Sequence, residues 1–531
     1  MSAEKTNRVS YWLGRIPAHP ILVAVAPALF LLAWNIDQLR PTAAFRAILM
    51  SAVIGAGIFL LIRILYKDWR MAGFVATLSF IFFFSYGQVY ELVREQGEFG
   101  WGIARHRYML LLWIAAFVGV VALLRKSVAD PGPLTSAFNI GAIVAILIPL
   151  GQIALYQTRS ELARRALEST LSSTSKLELQ EGQTPPDIYY IILDAYNRDD
   201  YLLDEYGYDN TPFLEFLEER GFYVARCSQS NYSLTQLSLP SSLNMNYLEA
   251  FGDYYRSGST MRLGLDLLVN DSQVRRDLEA LGYSIIAFET GFIFTELDDA
   301  DHYFEQPKQG TMNAFFDFTG INGFEAMLIQ NSGARVLTDG ATASGFLSRL
   351  LPDVNRPQND YRDRTLFVLD QLERSRVPSI RGPKFAFVHL ISPHYPYVID
   401  REGGLVSDEF ELGDHAAYID QVIYLNGRLE TIIDGILGSS VADPIIVLQA
   451  DHGHLSEPGE RMAILNAYYF PYGRSEGLYP SISPVNTFRH IFNSYFGGEL
   501  DLLEDQSLFS TYQLPHDYEV IQDTRSECTN G

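Results

Sequence analysis

The segment "DPIIVLQADHGH" (Asp443–His454) sets both the fold and the place of its chemistry. A short apolar run, Ile445–Leu448, leads within three residues to a carboxylate, Asp451, followed by two imidazoles, His452 and His454. A continuous apolar strand is typical of a sheet buried on both faces. In open α/β sheets, ligands bind just beyond the carboxyl ends of the strands. The segment therefore predicts a polar site at one edge of a buried sheet.

Short β-rich runs of the same kind alternate with amphipathic helical stretches from residue 187 onward. The predicted strands are "DIYYIIL", "FYVARC", "YSIIAF", "KFAFVHL" and "PIIVLQ". Helical stretches such as "TPFLEFLEERG", "DSQVRRDLEALG" and "DYRDRTLFVLDQLERS" separate them. This alternation predicts an α/β domain, in which a mostly parallel central sheet is covered by helices on both faces.

Polar side chains follow three of these predicted strands where the strands end. Asp194 comes directly after "YYIIL", and His389 and His394 lie in "FVHLISPHYP". Asp451 and His452 follow the strand quoted first. Carboxylate oxygens and imidazole nitrogens are ligands of Zn²⁺ and Mn²⁺. One Asp after a strand is more often a turn or a helix cap, but agreement at three strand ends favours a metal site.

The stretch "SQSNYSLTQLSLPSSLNMNYL" (Ser228–Leu248) offers a nucleophile for such a site. Thr235 precedes an apolar-periodic run and could cap a helix, where free N–H groups and the dipole favour phosphate. A hydroxyl that is held there and bound to a metal loses its proton more easily. The plainer interpretation is that Thr235 is only a cap, and Ser230, Ser233 and Ser238 are rival hydroxyls.

Five apolar runs near the N-terminus predict membrane spans, since a span needs roughly 20 apolar residues. The runs are Ile16–Ile36, Ala47–Ile62, Met71–Tyr90, Tyr108–Leu124 and Pro131–Thr158. Buried core helices are the alternative, but five such runs in succession favour a membrane bundle. The predicted organisation is a five-helix transmembrane domain at 1–158, a juxtamembrane helix and linker at 159–186, a catalytic domain at 187–500 and an acidic tail at 501–531.

Charge divides the 531-residue chain at the same place. Residues 1–156 hold 13 Lys and Arg against 7 Asp and Glu, whereas the remainder holds 27 against 56. An acidic soluble part argues against nucleic-acid binding, which depends on basic residues. Basic residues near the spans favour a cytoplasmic N-terminus, so everything after residue 158 is expected outside the cytoplasm. Two distant cysteines, Cys227 and Cys528, form no disulfide framework, and their pairing stays open.

The order "PDIYYIILDAY", "NYSLTQLSLPSSLN", "HLISPHYPY", "ADHG" resembles the alkaline phosphatase and sulfatase superfamily. With its N-terminal anchor, the chain is most similar to the membrane-anchored bacterial lipoteichoic acid synthases and lipid A phosphoethanolamine transferases. The resemblance implies an alkaline phosphatase-like α/β fold for the catalytic domain. It also implies a multi-pass protein of the bacterial cytoplasmic membrane whose catalytic domain is periplasmic or extracellular.

The resemblance also implies a site that holds one divalent metal ion, Mn²⁺, Zn²⁺ or Mg²⁺. Its ligands would be Asp194, Thr235, Asp451 and His452, with Thr235 as the nucleophile. The membrane transferases often carry Glu where this chain has Asp194. The Asp-x-x-x-His pair that holds a second zinc in two-metal phosphatases is not evident in the sequence, which favours a single metal.

Three further histidines have counterparts in the family pattern. His394 of "PHYPY" matches a position that contacts the transferred phosphate or the leaving group, and His389 is a second candidate for substrate binding. His454 stands where phosphoethanolamine transferases usually have an acidic residue. Sulfatase nucleophiles are followed by Pro and Arg, whereas Thr235 is followed by "QLSLPSSL" without Arg. Hydrolysis of sulfuric esters is therefore less expected than phosphoryl chemistry.

Together these features predict a membrane-anchored, metal-dependent, sulfatase-like hydrolase or phosphotransferase. It would move a phosphoryl-linked group from a lipid or similar donor through Thr235, with a membrane lipid or surface glycan as substrate. A pseudoenzyme or envelope assembly factor with this fold is the alternative. A transporter is disfavoured, because Arg46 and Arg63 lie near span ends, where snorkelling explains their charge.

Overall fold

The computed structural model describes residues 14–95, 105–128, 130–171, 177–179, 184–307, 321–337, 356–406, 414–455, 457–523 and 528. Parts of the predicted linker and the last residues of the predicted tail lie outside these ranges. The chain forms two compact units. A helical unit contains the described residues of Met1–Thr158 and Lys308–Pro357, and an α/β unit contains those of Arg159–Pro307 and Gln358–Gly531.

Apolar helices make up the helical unit. In chain order they are α1 (His19–Trp34), α2 (Phe45–Tyr66), α3 (Trp69–Glu95), α4 (His106–Ser127) and α5 (Pro131–Thr170). Every predicted run thus lies on a helix, and α2 to α5 are long and apolar enough to cross a membrane. α1 has only 16 residues, about 24 Å at 1.5 Å per residue, which is shorter than the run predicted from Ile16. The protein is anchored to a membrane through these helices.

Seven strands form the central sheet of the α/β unit, in the order β2-β7-β6-β1-β5-β3-β4. They are β1 (Ile188–Leu193), β2 (Tyr223–Val224), β3 (Ser284–Phe288), β4 (His302–Phe304), β5 (Lys384–Leu390), β6 (Ile445–Gln449) and β7 (Asn466–Tyr469). The five strands from β6 to β4 are parallel, whereas β7 pairs antiparallel with both β6 and β2, so β7 alone of the seven runs in the opposite direction. The predicted, mostly parallel sheet is confirmed.

Helices cover both faces of this sheet, as the continuous apolar strands predict. They are α6 (Asp199–Asp204), α7 (Thr211–Glu219), α8 (Thr235–Leu243), α9 (Leu265–Asn270), α10 (Gln273–Ala280), α12 (Arg356–Glu373), α13 (His415–Ser439), α14 (Pro458–Met462) and α15 (Pro484–Tyr495). All six residues of β1 are buried. Tyr189 packs in one apolar cluster with residues of α7, α12 and α13, and Tyr190 packs in another with residues of α8, α10 and α15. Burial on both faces explains why the strands lack alternation.

Two features lie outside this core. Helix α11 (Gly323–Gln330) lies between β4 and α12 in the sequence but belongs to the helical unit. The acidic C-terminal segment contains a hairpin of β8 (Ser507–Phe509) and β9 (Glu519–Ile521). The cysteine pairing that the sequence left open is also visible, because Cys227 and Cys528 form a disulfide.

Candidate active site at the carboxyl edge of the sheet

Three adjacent strands deliver the predicted site residues to one edge of the sheet. β1 lies between β6 and β5, and Leu193 is in register with Leu390. Asp194, the residue after β1, continues the ladder because its N–H donates to the Leu390 carbonyl at 2.9 Å. Asp451 follows β6 at the same level, and its Oδ1 accepts from Ala195 N–H at 3.3 Å. Parallel strands thus bring together side chains that are far apart in sequence.

The four predicted metal ligands converge at this edge. His452 Nε2 lies 3.5 Å from Asp194 Oδ1 and 3.5 Å from Asp451 Oδ2. Thr235 Oγ1 lies 3.1 Å from the same nitrogen. These four side chains are all buried. The fold therefore brings these four side chains together, although they are far apart in sequence.

Thr235 is the first residue of α8, not its N-cap, which is Leu234. Its hydroxyl is therefore free of a capping bond and faces the imidazole of His452. Ser233 is turned elsewhere, because its hydroxyl donates to the Ser510 carbonyl at 2.7 Å. Ser230 is held by backbone carbonyls, those of Tyr232 at 2.7 Å and of Asp451. Ser238 Oγ lies 3.2 Å from Ser230 Oγ. Geometry thus separates the four hydroxyls that the sequence could not rank.

Buried polar atoms without a hydrogen-bond partner test whether a metal fits here. Asp194 Oδ1, Asp451 Oδ2 and His389 Nε2 have no such partner among the described residues. Buried polar atoms are nearly always satisfied, so three orphans in one cluster indicate an additional partner. Two overlapping groups, Asp194 with His394 and His452, and Asp194 with His389 and Asp451, have ligand atoms within 4.8 Å of one another. Carboxylates and imidazoles in this number fit a divalent cation.

Hydrogen bonds orient the imidazoles so that Nε2 faces the cluster. His452 Nδ1 lies 2.8 Å from the Gly453 carbonyl, which fixes its proton on Nδ1. His389 Nδ1 lies 2.9 Å from Thr295 Oγ1, and its Nε2 lies 3.5 Å from Asp194 Oδ2. Such outer contacts hold ligating histidines in position. His389, predicted to bind substrate, therefore lies against the carboxylates of the cluster.

The pKa values of Asp451 and Asp194 are shifted in opposite directions. Burial raises the pKa of Asp451, and the neighbouring charge of Asp194 raises it further, to about 7. Burial also raises the pKa of Asp194, but the imidazoles of His394, His389 and His452 outweigh it and hold that pKa below its usual range. Burial lowers the pKa of the His452 imidazole, which keeps its lone pair available. The like charge of two adjacent buried carboxylates thus moves their pKa values apart, and a bound cation would favour ionisation of both.

Arg461, on α14, is a site residue that the sequence reasoning missed. Its Nε donates to the Ser233 carbonyl at 2.7 Å, and its Nη1 donates to the His454 carbonyl at 2.8 Å. Nη2 lies 3.1 Å from His452 Nε2, the atom that also faces Thr235. Among the described residues it has no carboxylate ion pair within 4.0 Å, and burial lowers its pKa. The sequence around Arg461, "EPGERMAIL", contains no motif that would mark it as a site residue. Only the tertiary structure shows that this cation lies beside the nucleophile.

The other two histidines occupy different surroundings. His394 is half-buried, and its ring centroid lies 6.0 Å from that of His452. His454 belongs to neither ligand group, and it stacks on Tyr418 with 3.9 Å between ring centroids. Its Nδ1 lies 2.8 Å from Tyr206 Oη, and burial lowers its pKa to about 3. His454 thus packs among tyrosine side chains and not with the candidate ligand groups.

Among known proteins, the chain is similar to solved structures but not to any family model or curated sequence. The C-terminal periplasmic domain of EcEptC from Escherichia coli, in complex with zinc, is 13% identical with a TM-score of 0.43, over 65% of this chain and 95% of that one. Lipooligosaccharide phosphoethanolamine transferase A from Neisseria meningitidis is 12% identical with a TM-score of 0.39, over 90% of this chain and 95% of that one. The lipoteichoic acid synthase LtaP from Listeria monocytogenes is 13% identical with a TM-score of 0.36, over 66% and 81%.

The fold is an α/β sheet with a polar site at its carboxyl edge, as expected of an alkaline phosphatase-like domain, and apolar helices precede it. At such low identity, what the chain does has to be argued from its own site.

Proposed function

We propose that this protein is a membrane-anchored, metal-dependent phosphotransferase or hydrolase that uses Thr235 as its nucleophile. The transferred group would be phosphoryl-linked, from a lipid or similar donor. One observation carries the proposal: Thr235 Oγ1 lies 3.1 Å from His452 Nε2, inside a buried cluster of carboxylates with unsatisfied oxygens. A hydroxyl used only for packing has no need of such surroundings.

Asp194, Asp451 and His452, with Thr235, would hold the metal ion. Their unsatisfied atoms and the shared burial of the two carboxylates support this assignment. When bound, a divalent cation supplies Lewis acidity that lowers the pKa of a coordinated hydroxyl and offsets negative charge on a phosphoryl group.

In the first half of the proposed reaction, Thr235 Oγ1 attacks the phosphorus atom of the donor. A new Oγ1–P bond forms, the bond from phosphorus to the leaving oxygen breaks, and the proton of Thr235 ends on the departing alcohol. Arg461 donates N–H groups beside the nucleophile, where the non-bridging phosphoryl oxygens would lie. His394, half-buried at the rim, is placed to bind the leaving group.

In the second half, an acceptor hydroxyl attacks the phosphothreonine from the opposite side. A sugar or lipid alcohol as acceptor gives transfer, and water gives hydrolysis. The proton of the acceptor returns to Thr235 as its bond to phosphorus breaks. The groups that bind the phosphoryl oxygens serve both halves, since the two steps are the same displacement in opposite directions.

Two independent features support the proposed side of the membrane. Cys227 and Cys528 form a disulfide, a bond typical of proteins outside the cytoplasm. The balance of basic residues around the apolar runs also favours an α/β unit outside the cytoplasm. We therefore propose a bacterial cytoplasmic-membrane location with the catalytic unit on the outer side. There, membrane lipids and surface glycans are the available substrates.

Intact-protein mass spectrometry tests the nucleophile directly. The full chain in lipid nanodiscs is incubated with Zn²⁺ or Mn²⁺ and candidate phospholipids, and the added mass is mapped by peptide fragmentation. We expect an adduct on Thr235, no adduct in Thr235→Ala, and a partial adduct in Thr235→Ser. Ser238→Ala is the matched control, because Ser238 lies on the same helix and its hydroxyl contacts Ser230 Oγ at 3.2 Å.

A pseudoenzyme would give a different result. The proposal fails if the wild-type protein, loaded with metal, forms no adduct and releases no product from phospholipid or aryl phosphodiester substrates. Equal turnover by wild type and Thr235→Ala would instead show that another group is the nucleophile.

A further inference from the structure

A half-open apolar cavity lies among the helices of the helical unit. Its volume is ≈ 530 Å³, within the range of about 300–1,000 Å³ that is usual for small-molecule sites. Its walls are one face of α2, one face of α3 and helix α11 with the residues that follow it. Ala24 of α1 closes one side.

Residues at helical spacing line the cavity, so its long axis follows the helices. On α2 the lining residues include Arg46, Met50, Ile54 and Ile58, four residues apart. At 1.5 Å per residue they extend over about 18 Å. On α3 the facing stripe is formed by Ser79, Phe80, Phe83 and Phe84. A space of this length between aromatic and aliphatic side chains suits an extended apolar chain.

The third wall is firmly attached to the helical unit. Glu325 of α11 accepts from Arg46 Nε at 2.6 Å, and a second hydrogen bond joins Arg46 Nη2 to the other carboxylate oxygen. Asn322 caps α11 and also donates to the Ala43 carbonyl at 3.0 Å. Gly333 N–H donates to the Phe83 carbonyl at 2.7 Å. These hydrogen bonds hold α11 in place as the third wall of the cavity.

The lining of the cavity is mostly apolar, and its polar side chains are largely engaged. The Arg46–Glu325 pair brings opposite charges together, so the two groups offset each other. Ser79 donates to the Val75 carbonyl at 2.8 Å, and Ser332 donates to the Ile329 carbonyl at 2.9 Å. Their hydroxyls are thus engaged within their own segments. An apolar cavity of this kind does not stabilise water, but it binds apolar ligands.

We propose that this cavity binds one acyl chain of a membrane phospholipid. α2 and α3 are both long and apolar enough to cross a bilayer, and a cavity between such helices is surrounded by acyl chains. Entry of a chain replaces unfilled space with dispersion contacts to the phenylalanine and isoleucine side chains. The cavity shares no lining residue with the Thr235 cluster, and its occupancy does not require catalysis.

Photochemical crosslinking tests this inference. The full-length protein is reconstituted in nanodiscs that contain a phospholipid with a diazirine in its acyl chain, irradiated, and mapped by peptide mass spectrometry. We expect adducts on α11 and on the cavity-facing side of α2. Ser51→Trp fills the cavity from α2, and Ala334→Trp fills it from the segment after α11. Each should lower the yield of α11 adducts several-fold.

Val53→Trp is the matched control, because Val53 is on the same helix as Ser51 but is 58% exposed on the outer surface. It should leave the α11 adducts unchanged, and melting temperatures confirm that all three variants fold. Thr235→Ala should also retain the adducts, so the outcome is independent of the proposed chemistry. The inference is overturned if both filling variants fold and label α11 like the wild type. It is equally overturned if adducts occur only on outward-facing residues.

Discussion

Thr235 Oγ1 lies 3.1 Å from His452 Nε2, although 217 residues separate them. The contact joins the first turn of α8 to the residue that follows Asp451 at the end of β6. Of the four candidate hydroxyls, those of Thr235, Ser230, Ser233 and Ser238, only that of Thr235 faces an imidazole. The contact therefore places the Thr235 hydroxyl beside the two buried carboxylates. A Thr235→Ala variant should therefore lose at least about a thousandfold in turnover, the order of effect seen when a nucleophile is removed. Steady-state kinetics on an aryl phosphodiester measures this, and Thr235→Ser should retain part of the activity.

Metal content should depend on both carboxylates. Asp451→Asn removes a charged ligand and should weaken metal binding by at least about tenfold, since changes to outer-shell groups already cost tenfold to a hundredfold. Elemental analysis after dialysis measures the bound metal, and Asp253→Asn, at an exposed aspartate, is the control. A chelator should lower the melting temperature of the wild type more than that of Asp451→Asn, because only the wild type is left with two adjacent buried carboxylates. An unchanged metal content in Asp451→Asn would contradict the ligand assignment.

Arg461 should contribute to the binding of the phosphoryl group. Arg461→Lys keeps a positive charge but loses the planar fork, so inhibition by inorganic phosphate should weaken by about 1.5–3 kcal/mol, the value of hydrogen bonds to charged groups. Inhibition constants measure the effect at constant metal content. Arg374→Lys, whose side chain is 64% exposed, should behave like the wild type. If phosphate inhibits Arg461→Lys as strongly as the wild type, Arg461 only supports the loop at Ser233.

The disulfide should stabilise the α/β unit by closing a long loop. Cys227 and Cys528 are 301 residues apart in sequence, and cross-links that close long loops stabilise by about 2–5 kcal/mol. The double substitution Cys227→Ala with Cys528→Ala should therefore lower the melting temperature. Thiol alkylation before and after reduction checks the bond itself. Labelling of both cysteines in protein isolated without reductant would show that the bond is absent.

Acid should loosen the C-terminal hairpin region through His516. This histidine is buried, its Nε2 lies 2.7 Å from the Met261 carbonyl, and burial lowers its pKa. The unfolded segment takes up a proton below about pH 6.5, before the folded one does, so stability is lost as pH falls through that value. Local opening of β8 and β9, measured as the amide exchange rate relative to the intrinsic rate at each pH, should increase between neutral pH and pH about 5.5. His516→Gln should reduce this increase, whereas a change at exposed His302 should not.

Much of the fold could be read from local patterns. The apolar run before Asp451 predicted a doubly covered parallel sheet, because a strand buried on both faces cannot alternate. The edge position of Asp194, His389 and Asp451 followed from the same rule, since parallel strands end together. The exact length of α1 could not be read, because the apolar run continues past the helix ends into Ile16 and Ile36.

The sequence by itself determined the sheet, the helical anchor and the residue types of the site, because each depends on hydrophobic period and on strand order. Only the tertiary structure decided which hydroxyl faces His452, that Arg461 lies beside it, and that Cys227 meets Cys528. It also placed α11 against α2 and α3, which creates the cavity. These are contacts between segments remote in sequence, and no local pattern encodes which pairs will meet.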